Sequence, residues 1–292
     1  MSTMAERLCQ GPIARPGLGM TYAGYNPALV ARILPLVDYI EVTPDAIAEV
    51  DGEKVTLNDL AMAELKDIST VAQIIVHGVG LSIGSHEGYS ARYLRLLDAF
   101  LERVEVAWHS EHLAYTTVDG EHLGTMLALP KTTQVLDMIC ERVEAIQQRY
   151  GVPFLLENVV HVLPDYPGEY SDAAFLNAIS AHTGCGLLLD AYNLECDMHN
   201  HGFDLHAFLA ELNPAAVREV HVACGVEYRG VLLDVHSRET RDTTLDLAQH
   251  VVTRASGGVE VVTYELLSEA VSALGLQAIG DELWRIRRAL EA

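Results

Sequence analysis

The chain has 292 residues, of which 50% are hydrophobic and 21% are charged, a balance typical of a globular protein. Its 19 basic and 41 acidic residues give a formal net charge of −22, so a nucleic-acid backbone would be repelled and nucleic acid is not an expected partner. There is no run of about 18 apolar residues, and the N-terminal residues lack the apolar core of a secretory signal. We therefore expect a cytoplasmic protein that does not bind membranes.

Short apolar runs predict eight strands. In chain order they are Gly17–Tyr22, Tyr39–Thr43, Gln73–Val79, Val104–His109, Phe154–Asn158, Gly186–Asp190, Val217–Ala223 and Val259–Leu266. Stretches with helical spacing, such as Ala91–Val104 and Thr133–Tyr150, lie between them. This alternation predicts an α/β protein with a parallel sheet, and eight units of this length favour a single (β/α)8 TIM barrel. An open doubly wound sheet is the alternative, but no GxGxxG follows the first strand.

The predicted barrel forms one domain over residues 1–292. Residues 1–15 are predicted to be an N-terminal extension, and the amphipathic segment 281–292 is predicted to be a closing helix. The five cysteines are scattered and include no CxxC motif, which argues against both a disulfide framework and a thiolate zinc site.

Polar side chains follow the apolar part of seven of the eight strands, in the strings IEVTPD, IVHGVG, WHSEHL, LLENV, LLLDAYN, EVHVACG and TYELLS. Because the carboxyl ends of barrel strands meet at one mouth, these side chains are expected to converge there. A further Asp-x-His pair occurs in the long segment after strand seven. The convergent set is Glu41, His77, His109, Glu111, His112, Glu157, Asp190, Asn193, His221, Asp234, His236 and Glu265.

Imidazole and carboxylate ligands without thiolates suit zinc, manganese or iron. The set is too large for one ion, so two or three ions with bridging carboxylates are predicted. Each residue alone has a plainer interpretation: His77 as a core histidine, and Glu157 or Asp190 as part of a structural salt bridge. The recurrence at equivalent strand ends favours the metal site.

The strings GLGMTYAGYN, HGVGLSIGS, WHSEHLAY, LLENV, TGCGLLLDAYN, NHGF, EVHVA and LLDVHS resemble those of the multinuclear non-haem iron-dependent oxidative enzymes. This family includes enzymes that act on the methanobactin precursor and in the thiaglutamate pathway. The resemblance extends from about Gly17 to Glu265. It implies a xylose-isomerase-like barrel with two or three iron ions of mixed valence at its mouth.

By this resemblance the metal ligands are His77, His112, Glu157, Asp190, His221, Asp234, His236 and Glu265. By the same resemblance, the predicted catalytic residues are Glu157, Asp190 and His221. Residues expected to contact the metals or their ligands are Glu41, His109, Glu111, Asn158, Asn193 and His201. The chain departs from the family with EVTPDAIAE after strand two, with VACG after strand seven and with SEHL in place of SDHL.

The resemblance also implies a reaction and two partners. Members oxidise ribosomally synthesised precursor peptides, usually at cysteine and with O2 as co-substrate, and usually work with a small partner protein that binds the leader.

Three other functions stay open at this stage. A zinc hydrolase or nuclease of the apurinic-endonuclease type has a similar ligand pattern, but the charge of −22 and Asn193 in place of a histidine ligand argue against it. A sugar isomerase with two divalent ions would need a lysine near the mouth, and no lysine follows Lys131. A non-catalytic metal-binding partner of another enzyme is the third.

Overall fold

A computed structural model describes residues 15–51, 54–163, 168–256 and 258–291. Eight parallel strands close into a barrel in the order β1-β14-β11-β10-β9-β6-β5-β2. These strands are β1 (Gly17–Thr21), β2 (Tyr39–Val42), β5 (Gln73–Gly78), β6 (His109–His112), β9 (Phe154–Glu157), β10 (Gly186–Asp190), β11 (Val217–Val222) and β14 (Val261–Tyr264). The predicted TIM barrel is confirmed.

Helices cover the outside of the barrel and pack their apolar faces on the strands. They are Pro27–Ile33, Asp59–Ile68, Ala91–Leu101, Thr133–Tyr150, Asp172–Thr183, Ala191–His201, Leu205–Glu211, Asp242–Arg254, Ser268–Leu274 and Leu276–Glu291, with short 3-10 turns at Pro44–Ile47 and Pro214–Ala216. Local signals in the sequence fix several ends. Asn58, Ser90 and Thr132 accept a backbone N–H at helix starts, and Gly151 and Gly184 adopt left-handed conformations at helix ends.

Among the described residues, three antiparallel hairpins that the sequence did not predict lie outside the barrel sheet. They pair β3 (Ala48–Asp51) with β4 (Lys54–Leu57), β7 (Ala114–Val118) with β8 (Glu121–Ala128), and β12 (Val226–Tyr228) with β13 (Val231–Leu233). The last two stand over the carboxyl end of the barrel, where residues of both line one groove.

The fourth barrel strand was predicted too early in the chain. It was expected over Val104–His109, but β6 begins at His109. Its pairing explains the difference: the first backbone hydrogen bond to β5 is made by the Ala107 N–H to the Ile74 carbonyl oxygen, and the paired register with β5 and β9 begins at His109. The strand therefore carries its polar residues within its length, not after its end.

The predicted closing helix 281–292 is longer than expected and occupies Leu276–Glu291. Its buried Glu282 accepts a hydrogen bond from the Thr240 N–H, which ties this helix to the segment that follows Asp234 and His236. The predicted N-terminal extension 1–15 lies, except for Arg15, outside the described residues.

Toward the carboxyl ends of the strands, the side chains that face the barrel interior change from apolar to polar over a distance of two residues. Tyr39, Ile75, Trp108, Leu155, Leu188 and Val261 form one buried cluster on neighbouring strands. Because alternate residues of a strand face the same side, the next inward positions toward the mouth are Glu41, His77, Ser110, Glu157, Asp190 and Thr263, all buried. The strand registers place His77 directly beside Ser110, whereas Glu41 lies beside Ile75 and Glu157 beside Leu188.

Candidate metal centre

Glu157 lies between two histidines from neighbouring strands. Its Oε2 atom is 3.2 Å from His77 Nε2 and 3.1 Å from His112 Nε2, and the two histidine nitrogens are 3.4 Å apart. The other ring nitrogens are occupied: His112 Nδ1 is 3.0 Å from the Gly78 carbonyl oxygen, and His77 Nδ1 is 3.0 Å from Ser110 Oγ. A hydrogen bond at one nitrogen that leaves the other free is typical of metal-binding histidines.

The second group joins Glu157 to β10, β11 and the end of β14. One ligand atom each from Glu157, Asp190, His221 and Glu265 lie within 4.8 Å of one another. His221 Nδ1 is 3.0 Å from Glu265 Oε2 and 3.8 Å from Glu157 Oε1. On its far side, His221 Nε2 is 2.9 Å from Glu41 Oε2. Glu157 is thus shared by both groups, as a bridging carboxylate would be.

The Asp-x-His pair extends the cluster on the side of Glu265. His236 Nδ1 is 3.2 Å from Glu265 Oε2, and its Nε2 contacts Asp234 Oδ1. His236 has a φ of 29°, an unusual conformation for a residue with a side chain, and its carbonyl oxygen accepts the Leu267 N–H. Such strained conformations persist only where the surrounding structure holds them in place, and they are common at functional sites.

Three predicted residues lie away from this cluster. His109 and Glu111 contact each other at 2.9 Å on the outward side of β6, where the His109 ring packs on Tyr150 and Phe154. They face the helical layer because they alternate with the inward Ser110 and His112. His201 is exposed at the rim of the mouth, where its Nε2 contacts the His161 carbonyl oxygen.

Asn158 and Asn193 organise the end of β10. The Asn158 side chain accepts the Asp190 N–H at 2.8 Å and donates to the Asp190 carbonyl oxygen at 3.2 Å. Asp190 Oδ1 in turn accepts the Asn193 N–H at 2.7 Å, which caps the helix Ala191–His201. The second oxygen, Asp190 Oδ2, is left for the cluster.

We expect Asn158→Ala to weaken metal binding by about 10- to 100-fold, because a group that orients a ligand is lost. The two Asp190 backbone groups also lose their partner, so stability should fall by about 1–3 kcal/mol. Metal titration and thermal unfolding measure both effects. Asn177→Ala is the matched control, since Asn177 also makes two backbone bonds but lies in the helical layer. Equal loss of metal affinity in both variants would contradict a specific role for Asn158.

In the metal-free cluster, the carboxylates and the histidines shift one another's pKa values. Burial opposes ionisation of Glu157 and Glu265, but facing histidines hold the pKa of Glu157 below its usual value and that of Glu265 well below it. Burial also opposes charge on His77, but Glu157 raises the pKa of His77 to about 9. Burial and then the Glu157 carboxylate raise the pKa of Asp190 well above its usual range.

Metal binding should therefore release protons. His77 is protonated below about pH 9 in the metal-free protein and must be neutral to bind a metal, and Asp190 must lose its proton. The apparent affinity should rise with pH through the neutral range. Calorimetry in buffers of different ionisation enthalpy measures the released protons, and a pH-independent affinity with no proton release would contradict this assignment.

The residues fit a metal cluster. Several buried ligand atoms make no hydrogen bond of good geometry with any described residue, although they approach one another closely. They are Glu41 Oε1, Glu157 Oε2, Asp190 Oδ2, His221 Nδ1, Asp234 Oδ1, His236 Nε2 and Glu265 Oε2. Buried polar atoms in folded proteins almost always have partners. Carboxylate oxygens and histidine nitrogens that could bind a metal therefore converge here, which indicates binding sites for cations.

Sequence reasoning missed Glu219 and Ser110. Glu219 is fully buried two residues before His221, on the same face of β11, and the spacing Glu-x-His was the available signal. Ser110 donates to the Val76 carbonyl oxygen and contacts His77. The string HSEH gave no indication that the Ser110 hydroxyl group would contact a candidate metal ligand.

A groove with a volume of about 580 Å³ opens above the cluster. Its lining includes His112 and Asp234 from the cluster, Met126 from the β7–β8 hairpin and Leu232 from the β12–β13 hairpin. The groove joins the cluster to the surface between the two hairpins.

No described helix is both long and apolar enough to cross a membrane.

The fold is a TIM barrel of the xylose-isomerase-like type. D-psicose 3-epimerase from Clostridium cellulolyticum superposes with a TM-score of 0.58, covering 94% of this chain and 100% of the epimerase at 13% identity. A xylose isomerase domain protein from Alicyclobacillus acidocaldarius gives a TM-score of 0.57, covering 94% and 99% at 16% identity. At such low identity these structures establish the fold alone.

The family follows from sequence comparison. Residues 16–266 match the family described as RiPP precursor modification enzyme MbnB/TglH/ChrH, in which RiPP denotes a ribosomally synthesised and modified peptide. A UPF0276 protein of Bordetella pertussis is 33% identical over 257 residues, 86% of each chain. One from Caulobacter vibrioides is 31% identical over 227 residues, 78% of each chain. The chain belongs to this family of RiPP precursor modification enzymes.

Proposed function

We propose that this chain is an O2-dependent iron enzyme that oxidises a cysteine residue of a ribosomally synthesised precursor peptide. The observation that carries the proposal is the cluster of buried, partnerless nitrogen and oxygen atoms at the mouth of a barrel of this family. Two or three iron ions are proposed, together with a small partner protein that binds the leader of the precursor.

His77, His112 and Glu157 would hold one ion, and Glu157, Asp190, His221 and Glu265 another. Asp234 and His236 lie beside Glu265 and would serve a third or complete the second. Bound iron would supply open coordination positions for the peptide thiolate and O2, and it would pass electrons from the cysteine that is oxidised to the O2 that is reduced.

The protein around the cluster supports such chemistry. Asp190 and His221 are fully buried and Glu157 is 1% exposed, so these three side chains are shielded from bulk water beneath the groove. His112 and Asp234 border the groove, which makes its floor the place where a side chain from above would reach the cluster. The apolar groove wall formed by Met126 and Leu232 suits the extended part of a peptide.

The direct test is co-expression of the chain with each short cysteine-containing peptide encoded beside its gene, in the presence of the proposed leader-binding partner protein. Mass spectrometry should detect an O2-dependent change of mass at cysteine, which is absent in a His221→Ala variant. A precursor modified equally by the variant, or modified at a residue other than cysteine, would overturn the proposed reaction.

Electrostatics should influence peptide binding. Because the chain has a net charge of −22, a basic leader or core peptide should bind more weakly as salt rises, on the order of tenfold between 50 and 500 mM NaCl. Fluorescence anisotropy measures this, with a peptide of neutral flanks as control. Affinity independent of salt for the basic peptide would exclude electrostatic docking.

A further inference from the structure

Glu219 is a carboxyl group in the apolar layer beneath the metal centre. Its strand register places it beside Leu188 on β10 and Val261 on β14, both members of the apolar cluster inside the barrel. Glu219 has no exposed surface. A buried carboxylate at this depth is costly unless hydrogen bonds and positive charge offset the loss of water.

Two hydrogen bonds hold both oxygens of Glu219 as acceptors. Trp108 Nε1 donates to Oε2 at 2.8 Å, and Thr263 Oγ1 donates to Oε1 at 2.8 Å. An indole N–H can only donate, so Oε2 is held as an acceptor, and the two hydrogen bonds fix the orientation of the carboxyl group. Gly19 gives Thr263 its room, since a Cβ atom there would lie 2.6 Å from Thr263 Oγ1.

The basic group that Glu219 contacts is a candidate metal ligand. Glu219 Oε1 is 3.6 Å from His221 Nε2, the same nitrogen that contacts Glu41. Among the ion pairs of the described residues, none joins Glu219 to a lysine or arginine. Two carboxylates thus face one nitrogen of His221 and leave its Nδ1 turned toward Glu157 and Glu265.

We infer that Glu219 is a positioning residue for the metal centre. With Glu41 it fixes the orientation and tautomer of His221, and it places a negative charge under the bound ions. The inference rests on the proposal that the cluster binds metal, but not on the identity of the metal or on the reaction. A carboxylate behind a metal-binding histidine raises the basicity of the ligand.

The test separates the charge of Glu219 from its hydrogen bonds. Glu219→Gln keeps an acceptor for Trp108 and a partner for Thr263 but removes the charge. Thr263→Val keeps the charge and removes one hydrogen bond. Metal-free protein is titrated with Zn²⁺, a diamagnetic probe of imidazole and carboxylate ligands. The indole N–H resonance of Trp108 reports binding, and the half-exposed Trp284 gives the reference resonance.

Glu219→Gln should raise the apparent Kd for Zn²⁺ about 10- to 100-fold while the melting temperature of the metal-free protein stays unchanged or rises. Thr263→Val should lower that melting temperature and leave the Kd within about threefold of the original. A Glu219→Gln variant with unchanged Kd would overturn the inference. So would a raised Kd accompanied by a melting temperature as low as that of Thr263→Val, because Glu219 would then only support the barrel. Failure of the peptide oxidation alone would leave these results standing.

Discussion

Asp190→Asn should remove metal from the barrel without unfolding it. The side chain keeps its size and its ability to cap the helix Ala191–His201, because asparagine is also a good N-cap residue. It loses the charged oxygen that faces Glu157 and Glu265, and we expect metal affinity to fall by at least about 100-fold. Elemental analysis and circular dichroism of the purified variant measure both properties.

Asp190→Ala separates the two roles of this residue. It should lose metal to the same degree and, in addition, about 1 kcal/mol of stability, because the hydrogen bond from the Asn193 N–H is lost. His221→Ala should lose metal as well. If Asp190→Asn or His221→Ala retained full metal content and activity, the proposed ligand set would be wrong.

Glu157→Gln should have the second large effect, since Glu157 is the carboxylate shared by the two groups. Its Oε2 faces His77 and His112, and its Oε1 faces His221. Glutamine cannot bridge cations as a carboxylate does, so both groups should lose metal and activity should fall by on the order of 10³-fold.

His112→Ala provides the contrast, because His112 belongs to one group alone. It should lower the metal content by about one ion and leave the second group loaded. Equal metal loss in His112→Ala and Glu157→Gln would argue against a bridging role for Glu157, because both variants would then disturb a single site.

The sequence predicted the barrel and most of the cluster because both depend on strand periodicity. Apolar runs that end in Glu157, Asp190 or His221 identify buried strands and their carboxyl ends at once. The exact position of a residue within its strand was harder to predict from the sequence. The string WHSEHL predicts a strand end and groups His109 and Glu111 with His112, but alternation along β6 turns His109 and Glu111 outward.

Other features depend on contacts between distant parts of the chain. Glu219 acquires its role from contacts with Trp108, which directly precedes β6, and with Thr263 on β14, at sequence separations of 111 and 44 residues. In the hairpins β7–β8 and β12–β13, strands β8 and β12 have no buried residue, so the hairpins gave little signal. The two hairpins line one groove because the closed barrel brings their bases together.

The metal content of the chain purified without oxygen is the most direct measurement of the central proposal. Elemental analysis combined with Mössbauer spectroscopy should find two or three iron ions per chain, some of them antiferromagnetically coupled through a shared carboxylate. Tightly held zinc without iron, even after anaerobic reconstitution with Fe²⁺, would contradict the oxidative iron enzyme and favour a zinc hydrolase on the same barrel.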